Sequence, residues 1–170
     1  AKFGDDKSEF ISFLKLWRWY GEQVQHKASQ RKLVGLLRQN FLSPIRLREW
    51  HDVHTQLAAL VGEQGWRVNQ SEATYEQLHM ALLSGLLGNI GFKSDEGGSY
   101  QGAREIRFYI HPGSRLVKKA GRWIMAAELV ETTRLYARCV ARIEPEWLEK
   151  VGGHLLKKSW GEPRWEKRSA

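Results

Sequence analysis

Trp123-Ile124-Met125-Ala126-Ala127-Glu128-Leu129-Val130 followed by Glu131-Thr132-Thr133-Arg134 and then Leu135-Tyr136-Ala137-Arg138-Cys139-Val140-Ala141-Arg142-Ile143 is the stretch whose reading decides the fold. Trp123 to Val130 reads as a strand, the four polar residues as a tight connection, and Leu135 to Ile143 as the hairpin partner. Immediately upstream, Ile106, Phe108 and Ile110 alternate with Arg107, Tyr109 and His111. That period of two marks a strand with one face buried. His111-Pro112-Gly113-Ser114 ends it in a turn, and Ser94-Asp95-Glu96-Gly97-Gly98-Ser99 reads as an earlier loop. Downstream, Pro145 opens a short helical turn through Trp147 and Leu148.

Several short strands with turns between them and one small helix predict a five-stranded barrel of the oligonucleotide-binding (OB) type over residues 91–158. Residues 1–90 have a different texture. Phe10, Phe13, Leu14, Trp17 and Tyr20 recur at helical spacing, with Gly21 expected to end or weaken that helix. A short helix from Ser29 to Arg38 carries Leu33, Leu36 and Leu37. A third helix is capped by Ser43, with Pro44 at its first position and Ile45, Trp50, Val53, Leu57, Leu60 and Val61 as its stripe, and Gly65 stops it. A fourth spans Ala73 to Asn89, with a stripe wide enough to be covered on more than one side. The class is therefore α+β: a bundle of about four helices, then the barrel, then a basic and aromatic tail at 159–170. No internal repeat interrupts this order.

The net charge is +8, from 27 Lys and Arg against 19 Asp and Glu. Such an excess suits an acidic partner, whether nucleic acid, an anionic surface or an acidic protein. One cysteine, Cys139, excludes an internal disulfide and makes a reducing compartment the expectation. No apolar run is long enough to span a membrane. The start, Ala1-Lys2-Phe3-Gly4-Asp5-Asp6-Lys7, has neither a signal-peptide core nor an initiator Met, so the chain reads as a piece that begins inside a longer protein.

Basic residues interleaved with aromatics are the chemistry-bearing feature. Arg104, Arg107, Tyr109, Arg115, Lys118, Lys119, Arg122, Arg134, Tyr136 and Arg138 all fall in the predicted barrel. Cations at strand ends meet phosphates, and exposed rings stack on bases. For any one of them a solvated surface charge is an equal alternative; for the cluster, an anionic ligand is favoured. Arg31, Lys32, Arg38, Arg46 and Arg48 lie on helices, and Arg46 is expected to pair with Glu49. His51 and His54 share a helix face, but a zinc site needs a third ligand that no spacing supplies, so no metal is expected. Cys139 lacks a base and reads as a small buried residue. Trp17, Trp50, Trp123 and Trp147 read as core; Trp66, Trp160 and Trp165 are left open between base stacking and partial order. No nucleophile–base pair or carboxylate dyad has interpretable spacing, so no catalytic residue is expected.

Six stretches in one order resemble the C-terminal region of HrpA-type DEAH-box RNA helicases over almost the whole chain. They are Ser8-Glu9-Phe10 with Leu16-Trp17; Asn40-Phe41-Leu42 with Arg46-Leu47-Arg48-Glu49-Trp50; His79-Met80-Ala81-Leu82-Leu83-Ser84-Gly85-Leu86-Leu87; Ile110-His111-Pro112-Gly113-Ser114; Trp123 through Arg134; and Ile143-Glu144-Pro145-Glu146-Trp147. The resemblance implies the end of a helical ratchet domain followed by an OB-fold. It implies that the hairpin Glu131–Arg134 and the turn His111–Ser114 lie near an RNA path. The RNA-binding residues expected are Arg107, Tyr109, His111, Ser114, Arg115, Lys118, Lys119, Thr132, Thr133, Arg134, Tyr136 and Arg138, with Ser114, Thr132 and Thr133 as hydroxyl donors to phosphate.

The sequence holds neither a G-x-x-x-x-G-K-[ST] phosphate loop nor an Asp-Glu-Ala-His box. The expectation is therefore an RNA-binding accessory piece with no ATPase activity and no cofactor of its own. ATP and magnesium would belong to the parent helicase. The expected partners are single-stranded RNA and the ATPase lobes of the same parent chain, in a monomer of the bacterial cytoplasm with no membrane contact. The alternative is a protein-docking module that receives an activator or another domain of the helicase.

Overall fold

The structure is a computed structural model, and it describes residues 2–26, 29–95 and 97–155. The chain divides into two compact units between Gln77 and Leu78, ahead of the change in sequence texture at Gly91. The expected tail at 159–170, with Trp160 and Trp165, lies outside the described residues.

The first unit is built on three helices: α1 (Glu9–His26), α2 (Gln30–Gln39) and α3 (Pro44–Glu63). Ser29 and Ser43 act as the caps read from sequence, their hydroxyls accepting from the Lys32 and Arg46 amides. Tyr20, Leu33, Leu37 and Leu47 form the core, with Trp17, Trp19, Val24, Leu42 and Trp50 against them. Gly21 does not end α1, which continues to His26. A glycine lowers helix propensity by only about 1 kcal/mol, and packing of Tyr20 and Val24 on either side outweighs it.

The apolar stripe expected on α3 is not buried. Ile45, Val53, Leu57 and Leu60 are all more than half exposed, and only Leu47 is buried. Periodicity reports that a face is apolar; it does not report what lies against it. Trp17 packs between Trp50 and His54, with ring centroids 4.9 and 4.7 Å away. His51 and His54 therefore sit around an indole, and among the described residues no group of three or more His, Cys, Asp or Glu side chains is arranged to hold a metal. No ion pair joins Arg46 to Glu49. Among the described residues no helix is long and apolar enough to cross a membrane.

Helix α4 (Tyr75–Ser84) is shorter than expected. It stops where Gly85 and Leu86 turn back to the carbonyls of Leu82 and Leu83, and a 3-10 turn at Leu87–Asn89 leads into the barrel. The strands are β1 (Ile90–Lys93), β2 (Tyr100–Gly102), β3 (Arg107–Ile110), β4 (Trp123–Glu131) and β5 (Leu135–Arg142). They close in the order β1-β2-β3-β5-β4, with β3 and β5 parallel and every other pair antiparallel. Helix α5 (Pro145–Gly152) follows, with Pro145 in its first turn and Trp147 and Leu148 buried.

Phe108 is fully buried at the centre of the barrel core, with Ile124, Ala126, Ala137 and Val140. Two glycines make room for its ring. A Cβ on Gly91 would lie 2.4 Å from Phe108 Cζ, and one on Gly102 would lie 3.0 Å from Cε1. Tyr100 spans the core edge and donates its hydroxyl to the Gly121 carbonyl at 2.7 Å. Burial pushes that phenol up in pKa, against the opposing pull of the Arg142 charge.

Candidate nucleic-acid interface

The face of interest is made by a change of phase in the long hairpin. On β4 the core takes Ile124 and Ala126, then Leu129; on β5 it takes Leu135 and Ala137, then Val140. The core positions thus change parity partway along each strand, from even to odd on β4 and from odd to even on β5. The switch on β5 falls at Cys139, which has a left-handed backbone (φ 53°). The pairing passes from Ala126 opposite Val140 directly to Glu128 opposite Arg138. Cys139 is consequently half-buried rather than a plain core residue. Beyond the kink, Arg138, Tyr136 and Arg134 all point away from the core.

Tyr136 is registered beside Tyr109 in the parallel pair. Arg107, Tyr109 and His111 alternate with the buried Phe108 and Ile110, so they share the outward face with Arg134, Tyr136 and Arg138. The Arg134 guanidinium carbon lies 4.9 Å from the centroid of the Tyr109 ring. His111 meets Tyr136 edge to face, centroids 5.8 Å apart. His111 Nδ1 accepts a hydrogen bond from the Gly113 amide at 3.1 Å, which leaves Nε2 to carry the imidazole proton. Six of the twelve expected residues therefore meet on one surface of rings and cations.

The other six are placed differently. Thr132 donates its amide and hydroxyl to the Arg134 carbonyl, at 3.0 and 3.5 Å, and so shapes the β4–β5 turn. Thr133 is exposed in that turn. Ser114 is buried; its hydroxyl oxygen accepts from the Leu116 amide at 3.1 Å, a role in holding the turn after β3. Arg115, Lys118 and Lys119 are exposed in the turns between Ser114 and Ala120.

Among the described residues, Arg107, Lys118, Arg134 and Arg138 enter no ion pair. Two residues of the face went unread in the sequence. Glu128 stands directly opposite Arg138, and Val130 opposite Tyr136. Alternation within β4 held that signal, but the kink at Cys139 decides which alternate residues point outward.

A family profile described as oligonucleotide/oligosaccharide-binding (OB)-fold matches residues 78–155. Over 166 residues, 98% of the chain, the sequence is 48% identical to the ATP-dependent RNA helicase HrpA of Escherichia coli (strain K12). Nearly the whole chain is thus similar in sequence to HrpA-type helicases, and residues 78–155 match an OB-fold domain. The HrpA homolog of Haemophilus influenzae is 47% identical over the same share. The pre-mRNA-splicing factor ATP-dependent RNA helicase prp22 of Schizosaccharomyces pombe is 28% identical over 92% of the chain. The chain spans 13% of the length of each of these relatives. The OB profile begins at Leu78, where the second compact unit also begins, so the HrpA-type barrel includes the end of α4.

Proposed function

We propose that this HrpA-type module grips the sugar-phosphate backbone of single-stranded RNA as an accessory part of an ATP-dependent RNA helicase. The observation that carries the reading is the outward face of β3 and β5, where Arg107, Arg134 and Arg138 stand among Tyr109, His111 and Tyr136. Guanidinium groups suit phosphate oxygens and rings suit bases of any identity, so sequence preference is weak. Arg115, Lys118, Lys119 and Thr133 extend the cationic and hydroxyl surface along the adjoining turns. Ser114 contributes by holding the turn that presents His111.

In this reading the ATPase lobes, with ATP and magnesium, are supplied by the rest of a longer monomeric chain in the bacterial cytoplasm. The lobes drive movement along RNA while the barrel holds it. The exposed apolar side of α3 favours a second role for the helical unit, docking against protein.

The test is binding of a short single-stranded RNA over a salt series, by the chain and by a variant with Arg134→Glu and Arg138→Glu. Affinity that falls with salt, and a loss of binding on charge reversal, support the reading. Binding that ignores salt or the two reversals sinks it.

A further inference from the structure

A second feature of the barrel unit adjoins the β2–β3 connection. A cleft of about 590 Å³ is walled by Leu87, Ile90, Ala103, Ile106 and Leu155, with Arg104 as its one charged side chain. Ile106 is 43% exposed at its edge. Gly152 closes the floor: a Cβ there would stand 3.1 Å from both methyls of Leu87. Arg104 is presented by the β2–β3 connection in an unusual way. Arg104 and Glu105 are consecutive non-glycine residues in the left-handed region, at φ 54° and 62°. The Gly102 amide donates to the Ile106 carbonyl at 2.7 Å and pins this connection.

Left-handed backbone favours Gly or Asn, so a guanidinium is kept here against local preference. Arg104 has no ion pair among the described residues. An apolar cleft with one convergent cation matches a ligand with an apolar body and one negative group. The lining offers no aromatic ring for stacking and, apart from Arg104, no polar side chain for a base edge, which disfavours a nucleotide.

We propose that this cleft docks a short acidic peptide segment, seating one bulky aliphatic or aromatic side chain beside Ile106 and Leu87 and pairing a neighbouring carboxylate with Arg104. Each element has a separate role. The aliphatic wall supplies affinity by excluding water from the anchor. Arg104 fixes the direction of the bound segment and selects against basic sequences.

The experiment uses the 170-residue chain and amide NMR, with the blocked peptide acetyl-Gly-Asp-Leu-Phe-Gly-amide as probe. Saturable shifts confined to the amides of Leu87, Ile90, Ile106 and Leu155 are expected. A peptide with Lys for Asp, or Ser for Phe, should bind at least fivefold more weakly. Arg104→Asn, which tolerates the left-handed backbone, should weaken the probe at least fivefold while leaving the spectrum of the barrel core unchanged; Ile106→Asp should abolish binding. The Arg134→Glu, Arg138→Glu variant should bind the peptide as the parent chain does, which keeps this proposal separate from the RNA reading. Absence of shifts at millimolar peptide, equal binding of the Lys peptide, or displacement of the probe from these amides by single-stranded RNA would each overturn it.

Discussion

The guanidinium of Arg134, in the turn just before β5, lies over the ring of Tyr109 on β3, 4.9 Å from its centroid. The contact ties the tip of the long hairpin to the strand beside it and holds a cation against a ring on the proposed RNA face. A cation–π pair at an exposed site contributes about 0.5–1 kcal/mol. Arg134→Ala and Tyr109→Ala are each expected to weaken single-stranded RNA binding about fivefold, within the range that one stacking or phosphate contact supplies. The double variant should lose less than the product of the two. Fluorescence anisotropy over a salt series checks both points: Arg134→Ala should lower the slope of log K against log salt by about 0.7, and Tyr109→Ala should leave it unchanged. An unchanged slope in Arg134→Ala removes Arg134 from the phosphate contacts.

Phe108 fills the space that a side chain on Gly91 would take, with only 2.4 Å between its Cζ and the missing Cβ. The ring is fully buried, and Tyr100 Cβ lies only 3.0 Å from the same point. Gly91→Ala should therefore destabilise the barrel by about 2–3 kcal/mol, the upper part of the range for overpacking. Urea unfolding monitored by tryptophan fluorescence reads this directly. A loss under about 0.5 kcal/mol shows that the core relaxes easily around Phe108.

Cys139 sits at φ 53°, where a β-branched side chain is a steric outlier. Cys139→Val should cost about 1–2 kcal/mol, whereas Cys139→Gly should stay within about 1 kcal/mol of the parent. If valine is tolerated as well as glycine, the kink is not what fixes the outward phase of Arg138 and Tyr136. Unfolding midpoints of the two variants, paired with the RNA affinity of each, distinguish these outcomes.

The Asp5 carboxylate is raised in pKa by burial and lowered more by the Lys15 ammonium at 2.9 Å and the Lys7 and Ser8 amides; the net shift is below its ordinary 3.8. A carboxylate with a depressed folded pKa stabilises the fold above its unfolded value, and that contribution fades as pH falls through the folded value. The helical unit should thus lose stability on acidification below about pH 4, the range in which an unperturbed aspartate protonates. Asp5→Asn should flatten that limb of the stability–pH curve without shifting the neutral plateau upward. An identical acid limb in the variant assigns the loss to other carboxylates.

The helix caps and the long hairpin were legible because their signals are local. Ser29, Ser43 and Pro44 declare helix starts through short-range bonding, and the alternation of Ile106, Phe108 and Ile110 declares a buried strand face. The barrel class followed from the number and spacing of strands, although β1 and β2 have only four and three residues and carry little pattern of their own. What stayed hidden depends on tertiary context. The apolar side of α3 reads as core because Val53, Leu57 and Leu60 recur at helical spacing, yet its coverage depends on what lies opposite. Ser114 reads as a ligand for phosphate, but the turn it belongs to occupies its hydroxyl. The left-handed conformations of Arg104, Glu105 and Cys139 leave no mark in residue type, since none of these is the Gly or Asn that such backbone favours.

The parallel pairing of β3 with β5 has a consequence for how the chain is made. β3 ends at Ile110, and its neighbour on that side, Tyr136 and Ala137, is translated only after the whole of β4. Until then the nascent β3 offers a row of unsatisfied amides and carbonyls, an adhesive edge for other strands. Closure is thus a late and non-local step, slower than hairpin formation by β4 and β5. A ribosome stalled before Leu135 would leave an open sheet prone to aggregation, a species that falls to the cell's chaperones.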